Sequence, residues 1–96
     1  MIAIREILDI DEKSNICNDI LRALPDWFGV ETSIIDYTNQ VRQMPFYAAF
    51  DDGRAIGFAV LKIHNAFTHE ICVMGILSEY HRRGIGKMLV ECCEKY

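Results

Sequence analysis

The sequence predicts one α/β domain over residues 1–96, in the order strand, helix, helix, three strands, helix. Three observations predict it. Ile16, Ile20, Leu21 and Leu24 recur at helical spacing. Apolar residues alternate with period two on the far side of an Asp52-Gly53 pair. Ile71 to Val90 reads as a buried strand, a basic turn with two glycines, and a helix.

Each element follows from its residues. Ile2 to Leu8 reads as a first strand, with Ile2, Ile4 and Leu8 on one face. Asp9 and Asp11 offer capping oxygens to the first helix, which Pro25 ends. A second helix, Glu31 to Arg42, turns Ile34, Ile35, Thr38 and Val41 inward and stops at Pro45. Phe46 to Phe50 is a strand. Asp51-Asp52-Gly53-Arg54 is a hairpin turn, because Asp-Gly favours positive φ at both central positions. Ala55 to His64 is apolar on both faces, as in an interior strand. Asn65 to Thr68 turn the chain, and Glu70 to Leu77 run back.

Composition narrows the function classes. The 51% hydrophobic content argues against disorder, and no apolar run reaches bilayer length. The amino-terminal stretch lacks a basic-then-apolar signal pattern, so a cytoplasmic protein is expected. A net charge of -4 argues against a nucleic-acid binder. Cys17 and Cys72 sit in apolar segments as small hydrophobes. Cys92 and Cys93 diverge by about 100° on a helix, and no Cys/His ligand spacing occurs, so no metal site is expected.

The turn His81-Arg82-Arg83-Gly84-Ile85-Gly86-Lys87 carries the chemistry. Glycines let main-chain N–H groups approach a ligand, and the following helix aims its unpaired N–H groups at the same place. Arg82, Arg83 and Lys87 add positive charge, which suits a phosphate or pyrophosphate. The Walker loop is excluded, because one residue separates the glycines and Met88 follows Lys87. The dinucleotide fingerprint is excluded, because position 89 is Leu89 rather than glycine.

The loop resembles the acetyl-CoA loop of the GNAT N-acetyltransferase superfamily, Gln/Arg-x-x-Gly-x-Gly/Ala. Arg82 to Gly86 match its last five positions, and His81 stands where Gln or Arg is usual. The element order matches the amino-terminal part of that fold over essentially the whole chain. The resemblance implies a mostly antiparallel mixed sheet with helices packed on it. It also implies that the carboxy-terminal strands are missing, together with the tyrosine that protonates the departing thiolate.

The resemblance assigns roles. Main-chain groups of Met74, Gly75 and Ile76 would hold the pantetheine arm of acetyl-CoA. The backbone of Arg82, Arg83, Gly84, Ile85, Gly86 and Lys87 would hold its pyrophosphate. Trp27 and Phe28, between the first helices, would line the pocket of a primary amine acceptor. Family members often have Pro where this chain has Ser78. Amine attack on a thioester needs a base to take a proton and an N–H for the thioester oxygen, here near Ile76. Glu70 is the candidate base, on the face of Cys72, Met74 and Ile76 by alternation. A free Glu titrates near ~4.3, so the role requires burial. His64 and His69 flank the turn from Asn65 to Thr68 as weaker candidates. Tyr80 is expected to pack beneath the basic turn. The alternative reading is a non-catalytic CoA-binding or self-association module, because an open fourth-strand edge would pair with another copy.

Overall fold

The computed structural model describes residues 1–96. Strands β1 (Ile2–Glu6), β2 (Phe46–Asp51), β3 (Arg54–Asn65) and β4 (Thr68–Ile76) form one sheet in the order β1-β2-β3-β4. All three pairings are antiparallel, so β1 and β4 are its edges. Helices α1 (Ile10–Arg22), α2 (Glu31–Gln40) and α3 (Ile85–Glu94) cover it. No helix is long and apolar enough to cross a membrane.

The first strand ends earlier than its apolar pattern suggests. Ile7 turns into the core and donates its N–H to the Phe46 carbonyl, 2.9 Å. Leu8 is left exposed, because the chain leaves the sheet to enter α1. Asp9 caps α1 by accepting from the Glu12 N–H at 2.9 Å. Asp11 instead pairs with Arg42 at 3.0 Å. Ile16, Cys17, Ile20 and Leu21 form the buried stripe of α1. Each large aliphatic there contributes about 1.5–3 kcal/mol by leaving water.

Helix α2 closes over α1 along a narrower seam than its sequence implies. Ile34 and Val41 are buried, but Ile35 is 45% exposed. Only one row of a ten-residue helix reaches the core, and Ile35 falls one residue, about 100°, outside it. The regular helix stops at Gln40 and tightens into a 3-10 turn, Val41–Gln43. The two helices are also clamped by polar contacts. Lys13 is buried and donates to the Met44 carbonyl at 2.7 Å, and the Ser14 hydroxyl donates to the Thr38 carbonyl at 2.9 Å.

The hairpin follows its turn residues, with φ of 50° at Asp52 and 87° at Gly53. Ile56 to Leu61 of β3 are buried on both faces. The faces carry different helices. A Cβ on Gly75 would meet Ile20 and Leu21 of α1, whereas one on Gly86 of α3 would meet Ile76 and Met74. Gly75 alternates with Met74 and Ile76, so α1 and α3 lie on opposite sides of the sheet.

Candidate acyl-carrier and acceptor site

The basic turn is built as an anion cradle. Gly84 stands at the start of α3 with φ of 77°, a conformation that costs a side-chain-bearing residue. A Cβ there would meet nothing within 4 Å, so the requirement for glycine is conformational rather than steric. Gly86 is a different case: its Cβ would sit 3.3 Å from the Ile76 Cδ1, so glycine lets α3 pack against β4. Arg82 also adopts positive φ, 64°, without being glycine. Strain of that kind persists where surrounding structure enforces it.

The N–H groups of Arg82 through Lys87 have no main-chain acceptor, and no side chain caps α3. The only main-chain donors to side chains are at Glu12 and Phe67, elsewhere in the chain. Arg82, Arg83 and Lys87 form no ion pair. Free N–H groups at a helix start, with three cations outside any ion pair, fit a diphosphate. No carboxylate in the first turn opposes it.

Tyr80 packs under this turn. It is buried, and the Arg83 guanidinium lies 5.1 Å from its ring centroid. Its hydroxyl donates to Asp51 Oδ2 at 2.6 Å, while the Met1 ammonium bonds Asp51 Oδ1 at 3.0 Å. The Tyr80 bond, then the ammonium, hold the Asp51 carboxyl below its ordinary range. The same bond pushes the Tyr80 phenol up. Sequence reasoning missed Asp51, because only its role in the hairpin turn is visible locally.

The edge of β4 forms a ledge beside the cradle. Leu77 donates its N–H to the Ile56 carbonyl at 2.9 Å. That bond phases the ladder so that Gly75 faces β3, and Met74 and Ile76 turn their main-chain groups to the open edge. His81 Nε2 lies 2.7 Å from the Ile76 carbonyl oxygen. A cleft of about 260 Å³ opens here, lined by Leu24, Trp27, Phe28, Met74, Gly75, Ile76 and His81. The structure therefore brings Trp27 and Phe28 against the strand-end residues. Trp27 meets His81 edge-on at 5.5 Å, and Phe28 meets Tyr37 at 6.3 Å. The Pro25–Val30 bend holds them there: Trp27 and Phe28 both donate N–H groups to the Leu24 carbonyl. A more polar cleft of about 350 Å³, with Ser33, Asp36, Tyr37, Gln40 and Cys72, lies against α2.

Glu70 is placed differently from its expected position. Glu70 pairs with Lys62, and Met74 with Ala59. Those partners are three apart on β3, so Glu70 and Met74 point to opposite faces. The cause is a bulge: Val73 and Ile71 oppose consecutive residues Val60 and Leu61, leaving Cys72 extra. Glu70 is 60% exposed rather than buried, and pairs with His64 Nε2 at 3.0 Å. It does not line the cleft of Trp27 and Phe28. His69 is exposed and faces Tyr96 at 6.5 Å.

The cysteines offer no nucleophile at the cradle. Burial pushes the Cys17 and Cys93 thiols up to about 11. Cys72 is only half-buried, because the bulge turns it toward α2. No group of His, Cys, Asp and Glu side chains is placed to hold a metal ion.

Comparison with known proteins places this fold. Among proteins of curated function, none matches the sequence. A solved N-acetyltransferase, PaiA from Thermoplasma acidophilum in complex with coenzyme A, is 24% identical with a TM-score of 0.75, over 99% of this chain and 70% of that one. An aminoglycoside 6'-N-acetyltransferase complexed with coenzyme A is 22% identical with a TM-score of 0.76, over 97% and 53%. The ribosomal-protein-S18-alanine N-acetyltransferase of Escherichia coli is 16% identical with a TM-score of 0.71, over 97% and 57%. The chain thus spans from about half to 70% of the length of these structures. Residues 7–96 match the profile of the acetyltransferase (GNAT) family, and the chain belongs to that family.

Proposed function

We propose that this chain binds acetyl-CoA and serves transfer of its acetyl group to a primary amine. One observation carries the reading: the cradle of free N–H groups, the open ledge of β4 and the aromatic wall of Trp27 and Phe28 are contiguous. Acetyl-CoA supplies an activated acyl thioester. The N–H groups of Arg82, Arg83, Gly84, Ile85, Gly86 and Lys87 hold its diphosphate, with the three cations around them. The outward main-chain groups of Met74 and Ile76 align its arm as an added strand beside Gly75. The Ile76 N–H faces the charge that develops on the carbonyl oxygen.

The amine enters past Trp27 and Phe28 on the α1–α2 side, whereas Glu70 lines a separate cleft with Val90, Cys93 and Glu94 of α3. Glu70, hydrogen-bonded to His64, lacks the burial that a direct base requires and lies outside the cleft of Trp27 and Phe28, so the part proposed for it is indirect, through a relay of waters. Calorimetric titration with acetyl-CoA tests the cradle, and thiol release across a panel of amines tests transfer. Glu70→Gln is expected to lower the transfer rate while leaving acetyl-CoA affinity unchanged. An unchanged rate removes Glu70 from the mechanism.

The open edge of β4 favours a second reading, a CoA-binding module that pairs with another copy and does not catalyse. Binding without thiol release for any amine selects that reading.

A further inference from the structure

His81 is the position at which the loop departs from the family pattern, and of the loop residues it alone lines the cleft. Its Nε2 faces the Ile76 carbonyl oxygen at 2.7 Å. A carbonyl only accepts, so this nitrogen carries the proton and donates. The same ring packs edge-on against Trp27. That is the sole aromatic partner of an indole that is otherwise 63% exposed.

The hydrogen bond is at an informative place. Ile76 is an outward-facing residue of the β4 edge, so its carbonyl is an acceptor that an arm lying along the edge would use. The imidazole already takes one of the two lone pairs of that oxygen and lines the cleft beside it, so an arm on the edge meets the ring. The ring it meets is also the support of the acceptor wall.

We propose that His81 is a positioning residue that couples the two halves of the site. An incoming arm takes the Ile76 carbonyl, the imidazole leaves it, and Trp27 loses its packing partner, which opens the acceptor wall. The inference rests on the acetyl-CoA reading above.

Trp27 is the only tryptophan, so indole emission reports this one position. The full chain is titrated with coenzyme A, with emission and calorimetric heat followed in parallel. A red shift of Trp27 emission with a midpoint at the calorimetric Kd is expected. His81→Phe keeps a ring beside Trp27 but cannot donate. It should retain the resting emission, lose most of the ligand-induced shift, and bind coenzyme A about two- to threefold tighter, because one competing hydrogen bond is gone. His81→Ala should be red-shifted before any ligand is added. Calorimetric binding with unmoved wild-type emission overturns the coupling. So does a His81→Phe variant with the full shift and an unaltered Kd. Absence of calorimetric binding in the wild type overturns the acetyl-CoA reading itself, and the coupling with it.

Discussion

Single residues set the cradle, and their backbone angles separate its two requirements. Gly84 needs positive φ and faces open space. Gly84→Asp adds strain and a negative charge where the diphosphate belongs, so calorimetric acetyl-CoA binding should vanish. Arg82 holds positive φ at a strain of about 1–2 kcal/mol. Glycine there relieves that strain but adds freedom to the unfolded chain, leaving a net gain of about 0.5 kcal/mol. Arg82→Gly should therefore melt slightly higher and bind acetyl-CoA more weakly, having lost one cation. Asp51 governs a pH response. Its carboxyl is more acidic in the folded chain than its ordinary value of 3.8. It stabilises the fold above that value, and the contribution disappears as pH falls through the lower folded value. Asp51→Asn should lose this part of the acid limb when melting temperature is followed from neutral to acid pH.

At the scale of elements, β4 is the strand on which everything is assembled, and its spacing is tight. A Cβ at Gly75 would approach Phe58 Cε1 to 3.1 Å and Ile20 Cγ2 to 3.2 Å. Gly75→Val should cost about 2 kcal/mol in urea unfolding, by forcing α1 away from the sheet. The elements themselves were legible, because Ile16, Ile20, Leu21 and Leu24 keep helical spacing and all four are buried. The hairpin was legible for the same kind of reason: Asp52-Gly53 has few other uses. The loop and its neighbours on β4 were legible from glycine and charge. The bulge at Cys72 was not, since Ile71 and Val73 beside it are both apolar and no break in polarity marks an extra residue. That one residue overturned the alternation that placed Glu70 with Met74. The Tyr80–Asp51 bond was hidden by separation, joining positions 29 apart. Ile35 was misplaced because hydrophobic spacing cannot say how wide a seam the neighbouring helix will cover.

For the molecule as a whole, charge is segregated. A chain of net charge -4 gathers Arg82, Arg83 and Lys87 at one end of the sheet edge. The same edge is unpaired along β4, where Met74 is 37% exposed. We expect sedimentation over a wide concentration range to show self-association. Met74→Lys should reverse it, by placing a charge on the pairing edge. A monomer at every concentration would remove edge pairing from consideration. The contact between the Met1 ammonium and Asp51 reaches further than its exposed position suggests. Through Tyr80 it ends under Arg83. Any peptide joined ahead of Met1 turns that ammonium into a neutral amide. One of the two bonds that hold the Asp51 carboxylate then loses its charge, and the footing of the basic turn loosens with it.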